Sequence, residues 1–297
     1  MIQLADKQTT PQVRRMWKIC FDDRDDFIDL YFAEKYKEEN TLIYLENNRA
    51  IASLQMLPYL FTFCGVELPV AYISGACTLP AHRGKGLMGK LLTASFATMQ
   101  RRRIPISTLI PAETWLYRYY ARHGYAQVFD ADNRAIPLKK WLDDTGGDID
   151  SAYALLERTY RNNDFCIQKT KEDFSVIAQE AALYDYPPKT NLSGMARIID
   201  AKTLLTYYAV NHPDKSVGLA ITDNQITSNN TFCNISAGRA TFSDGRLSGD
   251  QSLSELFFNV EISLLCRLIF GHRLRELPED LSSNFAEHHP VMNLMLE

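Results

Sequence analysis

No apolar run in this 297-residue chain reaches the roughly 20 residues that a membrane span requires. The opening Met-Ile-Gln-Leu-Ala-Asp lacks the basic flank and apolar core of a secretory signal. Positive charge is not in excess either: 32 Lys and Arg against 36 Asp and Glu leave a net charge of -4, which argues against a general nucleic-acid binder. Cysteine is sparse. The six residues at 20, 64, 77, 166, 233 and 266 show neither CxxC pairing nor the dense spacing of a disulfide framework, so buried thiols are expected rather than disulfides or zinc ligands. His272, His288 and His289 show no metal-ligand spacing. These absences predict a cytoplasmic protein with no membrane span, no nucleic-acid partner and no metal. In that setting the sequons at Asn191, Asn229 and Asn234 carry no glycan. What is present is ordinary for a globular chain, 46% hydrophobic and 23% charged residues, and the length predicts two domains.

The chemistry concentrates in residues 71–92. An apolar strand, Ala-Tyr-Ile-Ser-Gly-Ala-Cys-Thr-Leu-Pro, runs through a basic, glycine-rich turn into an amphipathic helix that begins Leu87-Met88-Gly89. Gly84, Gly86 and Gly89 let backbone N–H groups converge on an anion at the helix N-terminus, where the dipole also favours negative charge. Arg83 and Lys85 add fixed positive charge, and the segment reads as a pyrophosphate cradle. Taken alone it also fits a glycine-rich turn without a ligand. No Walker spacing is present. Gly84-x-Gly86-x-x-Gly89 meets the dinucleotide pattern literally, but it follows apparent hairpins, and no acidic residue closes a following strand at the ribose-binding distance.

Residues 10–21 read as a helix, with Thr10 as N-cap, Pro11 in the first turn and Val13, Met16, Trp17 and Cys20 on one face. A second helix is expected over 24–37. Strands at 41–46 and 49–57 flank an Asn47-Asn48 turn, and 61–63 and 66–79 continue an antiparallel meander across Cys64-Gly65. A helix over 87–102, a strand over 104–110, a helix over 113–122 closed by Gly124 and a strand over 125–129 follow.

This element order, together with Arg83-Gly84-Lys85-Gly86-Leu87-Met88, resembles the GCN5-related N-acetyltransferases (GNAT) and their Gln/Arg-x-x-Gly-x-Gly/Ala signature. Met88 departs from it, standing where the family usually has Gly or Ala. The backbone N–H survives there, and the side chain must point away from the phosphates. The resemblance implies acetyl-coenzyme A as cofactor, with Arg83, Gly84, Lys85, Gly86, Leu87, Met88 and Gly89 around the pyrophosphate. It further implies that Ala76, Cys77, Thr78 and Leu79 lie on a splayed strand that pairs with the pantetheine amides, and Pro80, lacking an N–H, ends that ladder. Arg101, Arg102 and Arg103 read as complements to the helix dipole.

A second constellation, Pro111-Ala-Glu113-Thr-Trp-Leu-Tyr117-Arg-Tyr-Tyr120-Ala-Arg122-His-Gly124-Tyr125, ends in Tyr-x-Arg-x-Gly-Tyr. Acetyl transfer to an amine needs a deprotonated amine, a polarised thioester and a protonated leaving thiolate. The ending is similar to that of the enhanced-intracellular-survival branch of the acetyltransferases, in which the first tyrosine is the general acid, and here that residue is Tyr120. The competing reading is an aromatic helix face packed on the sheet, which is preferred for Tyr117 and Tyr119.

For the acceptor, Asp22-Asp23-Arg24-Asp25-Asp26 lies between the first two helices, where this fold overlooks its acceptor pocket. Asp25 and Asp26 would attract a cationic amine, against the plainer reading of a solvated charge run. Residues 136–141 read as a closing strand, 143–148 as a polar linker and 151–161 and 170–183 as helices. Beyond them come a strand over 195–199, a helix over 201–209, strands near 216–222, 225–235 and 238–242, and a helix over 252–270 capped by Ser252. From Met195-Ala-Arg-Ile-Ile-Asp-Ala201 onward the chain resembles the sterol-carrier-protein-like domain that ends the same branch. The expected architecture is therefore α+β: a GNAT domain with a central, largely antiparallel sheet at 1–135, a helical linker or degenerate second-repeat remnant at 136–194, and a sterol-carrier-like α/β domain at 195–297. The resemblance implies that the chain's own C-terminal carboxylate, on Glu297, is the base, and that the protein forms a homo-oligomer. The expected activity is acetyl transfer to a primary amine, on a small cationic molecule or a lysine, directly within a ternary complex. The alternative is a lipid or hydrophobic-ligand carrier with a degenerate acyl-coenzyme A domain.

Overall fold

The computed structural model describes residues 1–243 and 257–296. Its first sheet contains β1 (Ile2–Leu4), β2 (Thr41–Glu46), β3 (Arg49–Phe63), β4 (Val66–Thr78), β5 (Ile106–Leu109), β6 (Ala126–Phe129), β7 (Cys166–Gln168) and β8 (Gly194–Ile198), ordered β1-β2-β3-β4-β5-β8-β6 with β7 on β3. The expected meander is present. Asn47 and Asn48 at φ 50 and 60, and Cys64 and Gly65 at φ 51 and 74, make tight turns whose twist suits hairpins. β3 runs unbroken through Pro58, where two strands were expected. On the edge away from β4, β2 reaches only Gln55 and β7 begins at Leu60, so Pro58 falls in a gap between partners.

Helices α1 (Thr10–Phe21) and α2 (Asp25–Glu34) cover one face, burying Val13, Met16, Trp17, Phe27, Ile28 and Tyr31. Helix α3 (Leu87–Arg101) covers the other, with Leu87, Leu91, Leu92, Phe96 and Met99 packed on Leu54, Met56, Ala71 and Ile73. Helix α4 (Thr114–Ala121) joins the same apolar cluster through Tyr120.

The segment expected to close the first domain as a strand, 136–141, is instead α5 (Leu138–Asp144), because Leu138, Trp141 and Leu142 recur at helical spacing and are all buried. Ile136 makes an isolated bridge to Lys189. Helices α6 (Ile149–Tyr160) and α7 (Lys171–Leu183) follow, α7 with a Thr170–Asp173 capping box. The strand expected to open a separate C-terminal unit is β8, and it lies between β5 and β6, antiparallel to both. Its five residues are all buried, as suits a central strand.

A second sheet, ordered β11-β10-β9-β12, consists of β9 (Val217–Thr222), β10 (Thr231–Ser236), β11 (Arg239–Ser243) and β12 (Phe258–Glu261). Helix α8 (Ala201–Asn211) lies on β10 and β11. The strand expected over 225–235 begins only at Thr231, after a short turn over Thr227–Asn229. Of the helix expected over 252–270, residues 252–256 lie outside the described residues. Phe258–Glu261 is β12, parallel to β9, and Ile262–Ile269 alone is helical, as α9. α9 packs against both sheets through β6, β8, β9 and β12, and α10 (Glu279–Ser282) follows.

The two sheets are tied by a buried ion pair. Arg197 on β8 and Asp223 after β9 are 0% and 1% exposed at their side chains and meet at 2.9 Å. Arg197 Nε also donates to the His123 carbonyl at 2.8 Å, and its guanidinium lies 4.4 Å from the Phe96 ring centroid. Asp223 accepts from Gln225 N, Ile226 N and Asn229 Nδ2, so both charges are fully hydrogen-bonded. Removing one member leaves the other buried and unpaired. Arg197→Met or Asp223→Leu should each cost about 3–5 kcal/mol in urea unfolding, and the double variant should recover part of that. Additive losses in the double variant would show that the pair is not coupled.

Candidate functional site

The first sheet opens at β4. It pairs in parallel with β5 over Val70, Ala71 and Tyr72 only, and beyond Tyr72 its described strand partner is β3 alone. Between Ser74 and Cys77 the register with β3 slips by one residue, a bulge centred on Gly75 and Ala76. Gly75 is required there. Its φ is +55, and a Cβ would stand 2.5 Å from the Trp17 ring. Tyr31, whose hydroxyl lies between Gln55 Oε1 and Ser74 Oγ, and Trp17, tilted against it with ring centroids 4.3 Å apart, buttress the bulge from below. Ala76, Cys77, Thr78 and Leu79 thus continue past the point where β5 diverges.

The strand leads through a short turn, Pro80–His82, to the glycine-rich loop. Gly84 and Gly86 adopt φ +77 and +70, and Gly86 is the N-cap of α3 with no side-chain acceptor for the first-turn N–H groups. Arg83, Gly84, Lys85 and Gly86 are exposed. A positively charged, uncapped helix N-terminus is therefore presented to solvent beside the opening. Met88 turns into the apolar cluster that contains Leu87, Ile73 and Tyr120. Gly89 has another role: a Cβ would come within 3.1 Å of the His123 ring, so the glycine lets α3 approach the end of α4.

Tyr120 is 8% exposed and packs on Tyr119 and Tyr125. Burial pushes its phenol far up from the ordinary value, so it stays protonated. Among the described residues its hydroxyl has no hydrogen-bond partner, whereas Tyr125 is held by Ser107 at 2.7 Å and Tyr117 by Ser193 at 2.9 Å. The packing role expected for Tyr117 and Tyr119 agrees with their places in that cluster.

Asp25 and Asp26 open α2. Asp25 pairs with Lys18 at 3.1 Å and Asp26 with Arg24 at 2.6 Å, while Asp23 accepts the Trp17 indole N–H at 2.7 Å. Glu297 lies outside the described residues. The segment before it is not frayed: residues 292–296 are all buried, and Val291 N donates to the Phe165 carbonyl at 2.8 Å while Leu192 N donates to the Met292 carbonyl at 2.8 Å. This strap borders the open end of the first sheet, because Met292 fills the space over Gly194 next to the Leu109 carbonyl.

Two buried groups here had no sequence motif. Arg197 could have been noticed as an arginine inside an apolar strand pattern. Lys169 is 3% exposed and donates to Asn293 Oδ1 at 3.0 Å, with its ammonium 5.3 Å from the Tyr59 ring centroid. Desolvation lowers it to about 7.

Residues 1–128 match the family model described as an acetyltransferase (GNAT) domain. The chain thus carries a GNAT acetyltransferase domain, of the N-acetyltransferase class of enzymes. Among solved structures it is similar to a probable N-acyltransferase of unknown function from Enterococcus faecalis V583, at TM-score 0.73 and 14% identity over 99% of this chain and 98% of that one. It is also similar to a GCN5-related N-acetyltransferase from Kribbella flavida, at 0.61 and 14% over 100% and 99%. A third is Eis1 from Mycobacterium abscessus, at 0.60 and 11% over 100% and 97%. At these identities the likeness is one of fold. None of the curated proteins matches the sequence.

Lys169 makes a measurable prediction. Unfolded, it holds its proton up to the ordinary value of 10.5; folded, only up to about 7. Between those values the unfolded chain binds more protons, so stability should rise with pH across that window and stay flat, as far as this group contributes, below about 7. Guanidinium unfolding at a series of pH values should show the rise, and Lys169→Met should flatten it. A rise of equal slope in the variant would assign the linkage to other groups.

Proposed function

We propose that the chain transfers the acetyl group of acetyl-coenzyme A to a primary amine on a small cationic molecule or a lysine, directly within a ternary complex. One observation carries the reading. The bulged free stretch of β4, the uncapped basic N-terminus of α3 and the uncommitted Tyr120 phenol all border one apolar cluster. The fit to the cofactor follows from the backbone: Gly84 and Gly86 keep the approach to the α3 N–H groups clear, and a Cβ at either would meet nothing within 4 Å. When bound, acetyl-coenzyme A supplies the thioester. Residues 83–89 would hold its pyrophosphate, and Ala76, Cys77, Thr78 and Leu79 would pair with its amides as an added strand does.

Tyr120, kept protonated by burial, would donate to the departing thiolate. The base in this reading is the α-carboxylate of Glu297. The strap before it supports this reading, running buried along the open end of the sheet. The C-terminal half is read as sterol-carrier-like in its element order, but not as a carrier. Leu219, Ile221, Cys233 and Ile235 of its sheet and Leu265 and Leu268 of α9 are buried in the continuous core, so side chains fill its interior. The acceptor region is the turn between α1 and α2, where Asp25 and Asp26 pair with Lys18 and Arg24 and the further carboxylates of Asp22 and Asp23 leave a negative excess.

Tyr120→Phe keeps the ring and should lower kcat by about 10²- to 10⁴-fold with an unchanged melting temperature. A destabilised variant that retains kcat would make Tyr120 a packing residue. Joint replacement of Asp25 and Asp26 by Asn should raise KM for a polyamine by about two- to fivefold, the scale of exposed charge interactions, while leaving kcat in place. An unchanged KM would move the acceptor elsewhere.

A further inference from the structure

The end of α4 meets the first turn of α3 through one imidazole. His123 is half-buried, and its ring lies over Gly89 so closely that a Cβ there would stand 3.1 Å from Cε1 and 3.5 Å from Nε2. Cα–Cβ bonds in a helix tilt toward its N-terminus, so a ring in that space flanks the opening turn of α3. Gly89 is the third residue of that helix, and its N–H, like those of Leu87 and Met88, has no acceptor within the helix. The Tyr-x-Arg-x-Gly-Tyr ending leaves the residue before the glycine unspecified, and His123 occupies that position.

The second sheet decides which ring nitrogen carries the proton. Gln225, in the loop after β9, places Nε2 2.9 Å from His123 Nδ1 and 3.4 Å from the Arg122 carbonyl. A carbonyl only accepts, so the group that faces it is the amide NH2, and the other hydrogen of that group goes to Nδ1. Thr93 Oγ1 lies 3.5 Å from Gln225 Oε1, which agrees with this orientation of the amide. Burial draws the imidazole below its ordinary value, so the ring is neutral and its single proton sits on Nε2. Among the described residues that Nε2 has no hydrogen-bond partner, while the His123 carbonyl is held by Arg197 Nε at 2.8 Å and the ring packs 5.1 Å from that of Tyr119.

We propose that His123 is a further binding residue of the cofactor site, donating its Nε2–H to a pyrophosphate oxygen of coenzyme A beside the Gly89 N–H, and that Gln225 is the residue that positions it. The inference rests on the reading of residues 83–89 as the pyrophosphate cradle. Its consequence is a role for the C-terminal half in cofactor binding: through Gln225 and Arg197 that half fixes the ring in place and turns its donor toward the anion.

The test compares acetyl-coenzyme A with S-acetylpantetheine, which has the same thioester and amides but no phosphate, on the full chain, and measures coenzyme A affinity by calorimetry. His123→Phe keeps a ring over Gly89 and removes the donor. It should weaken the Kd for coenzyme A about tenfold, the scale of a hydrogen bond to a charged group, and lower the preference for acetyl-coenzyme A, read as the ratio of the two kcat/KM values, by the same factor. Gln225→Leu should lower that ratio less but in the same direction, and His123→Gln, which restores an N–H near the position of Nε2, should recover part of the loss. A ratio that stays at its original value in His123→Phe and Gln225→Leu, whether both substrates are impaired equally or neither is, would overturn the proposal and make His123 a packing residue. Failure of the cradle reading is separately visible, because the unaltered chain would then show no preference for acetyl-coenzyme A over S-acetylpantetheine, and the proposal would fall with it.

Discussion

The structure hangs on a charge taken out of water. Arg197 lies in the middle strand of three, β5-β8-β6, where no solvent reaches it, and it is tolerable there only because Asp223, the His123 carbonyl and the Phe96 face surround it. Those partners come from separate places: the loop after β9, the end of α4 and the middle of α3. One guanidinium therefore fixes how the second sheet sits against the helix that carries Tyr120. Gly124, at φ +81, belongs to the same constraint, because a Cβ there would stand 3.1 Å from Arg197 Nε. Asn229 extends it, bonding Asp223 through its amide and capping Ala201 N of α8 at 3.0 Å.

From this anchor the opening of the first sheet is inherited. β8 holds β5 on one side through four residue pairs, Ile106 with Ile198 to Leu109 with Met195, while β4 bends away on the other at the Gly75 bulge. The wedge between them is a consequence of register rather than of a flexible loop, which suits a site that must present backbone groups in fixed positions. The α3 N-terminus, the phenol of Tyr120 and the buried strap of residues 292–296 are brought toward this wedge by three different packing surfaces.

Much of the first domain was legible because its signals are local. Asn47-Asn48 and Cys64-Gly65 announce hairpins, Gly84 and Gly86 announce a left-handed approach to a helix, and Gly124 announces a helix end. The features that the sequence leaves open depend on distant partners. Met195-Ala-Arg-Ile-Ile reads as a strand from its residues, but nothing local says that it inserts between β5 and β6, more than 60 residues earlier in the chain. Phe258–Glu261 looked like the body of a helix because the apolar residues after it are helical; its parallel pairing with β9 decides otherwise. Residues 138–142 carry a helical period too short to outweigh their β-compatible composition until burial is known. Arg197 and Lys169 show the same limit, since the stability of a buried charge lies in partners that sequence does not place beside it.

The chemistry proposed for the wedge between β4 and β5 is direct acetyl transfer. The most direct measurement is the initial rate of thiol release from acetyl-coenzyme A, with acetyl-coenzyme A and a cationic amine varied together. Direct transfer predicts amine-dependent release, one thiol for each amide formed, and intersecting double-reciprocal lines. Coenzyme A binding without amine-dependent release across a broad panel, or parallel lines that signal an acetylated enzyme, would contradict it.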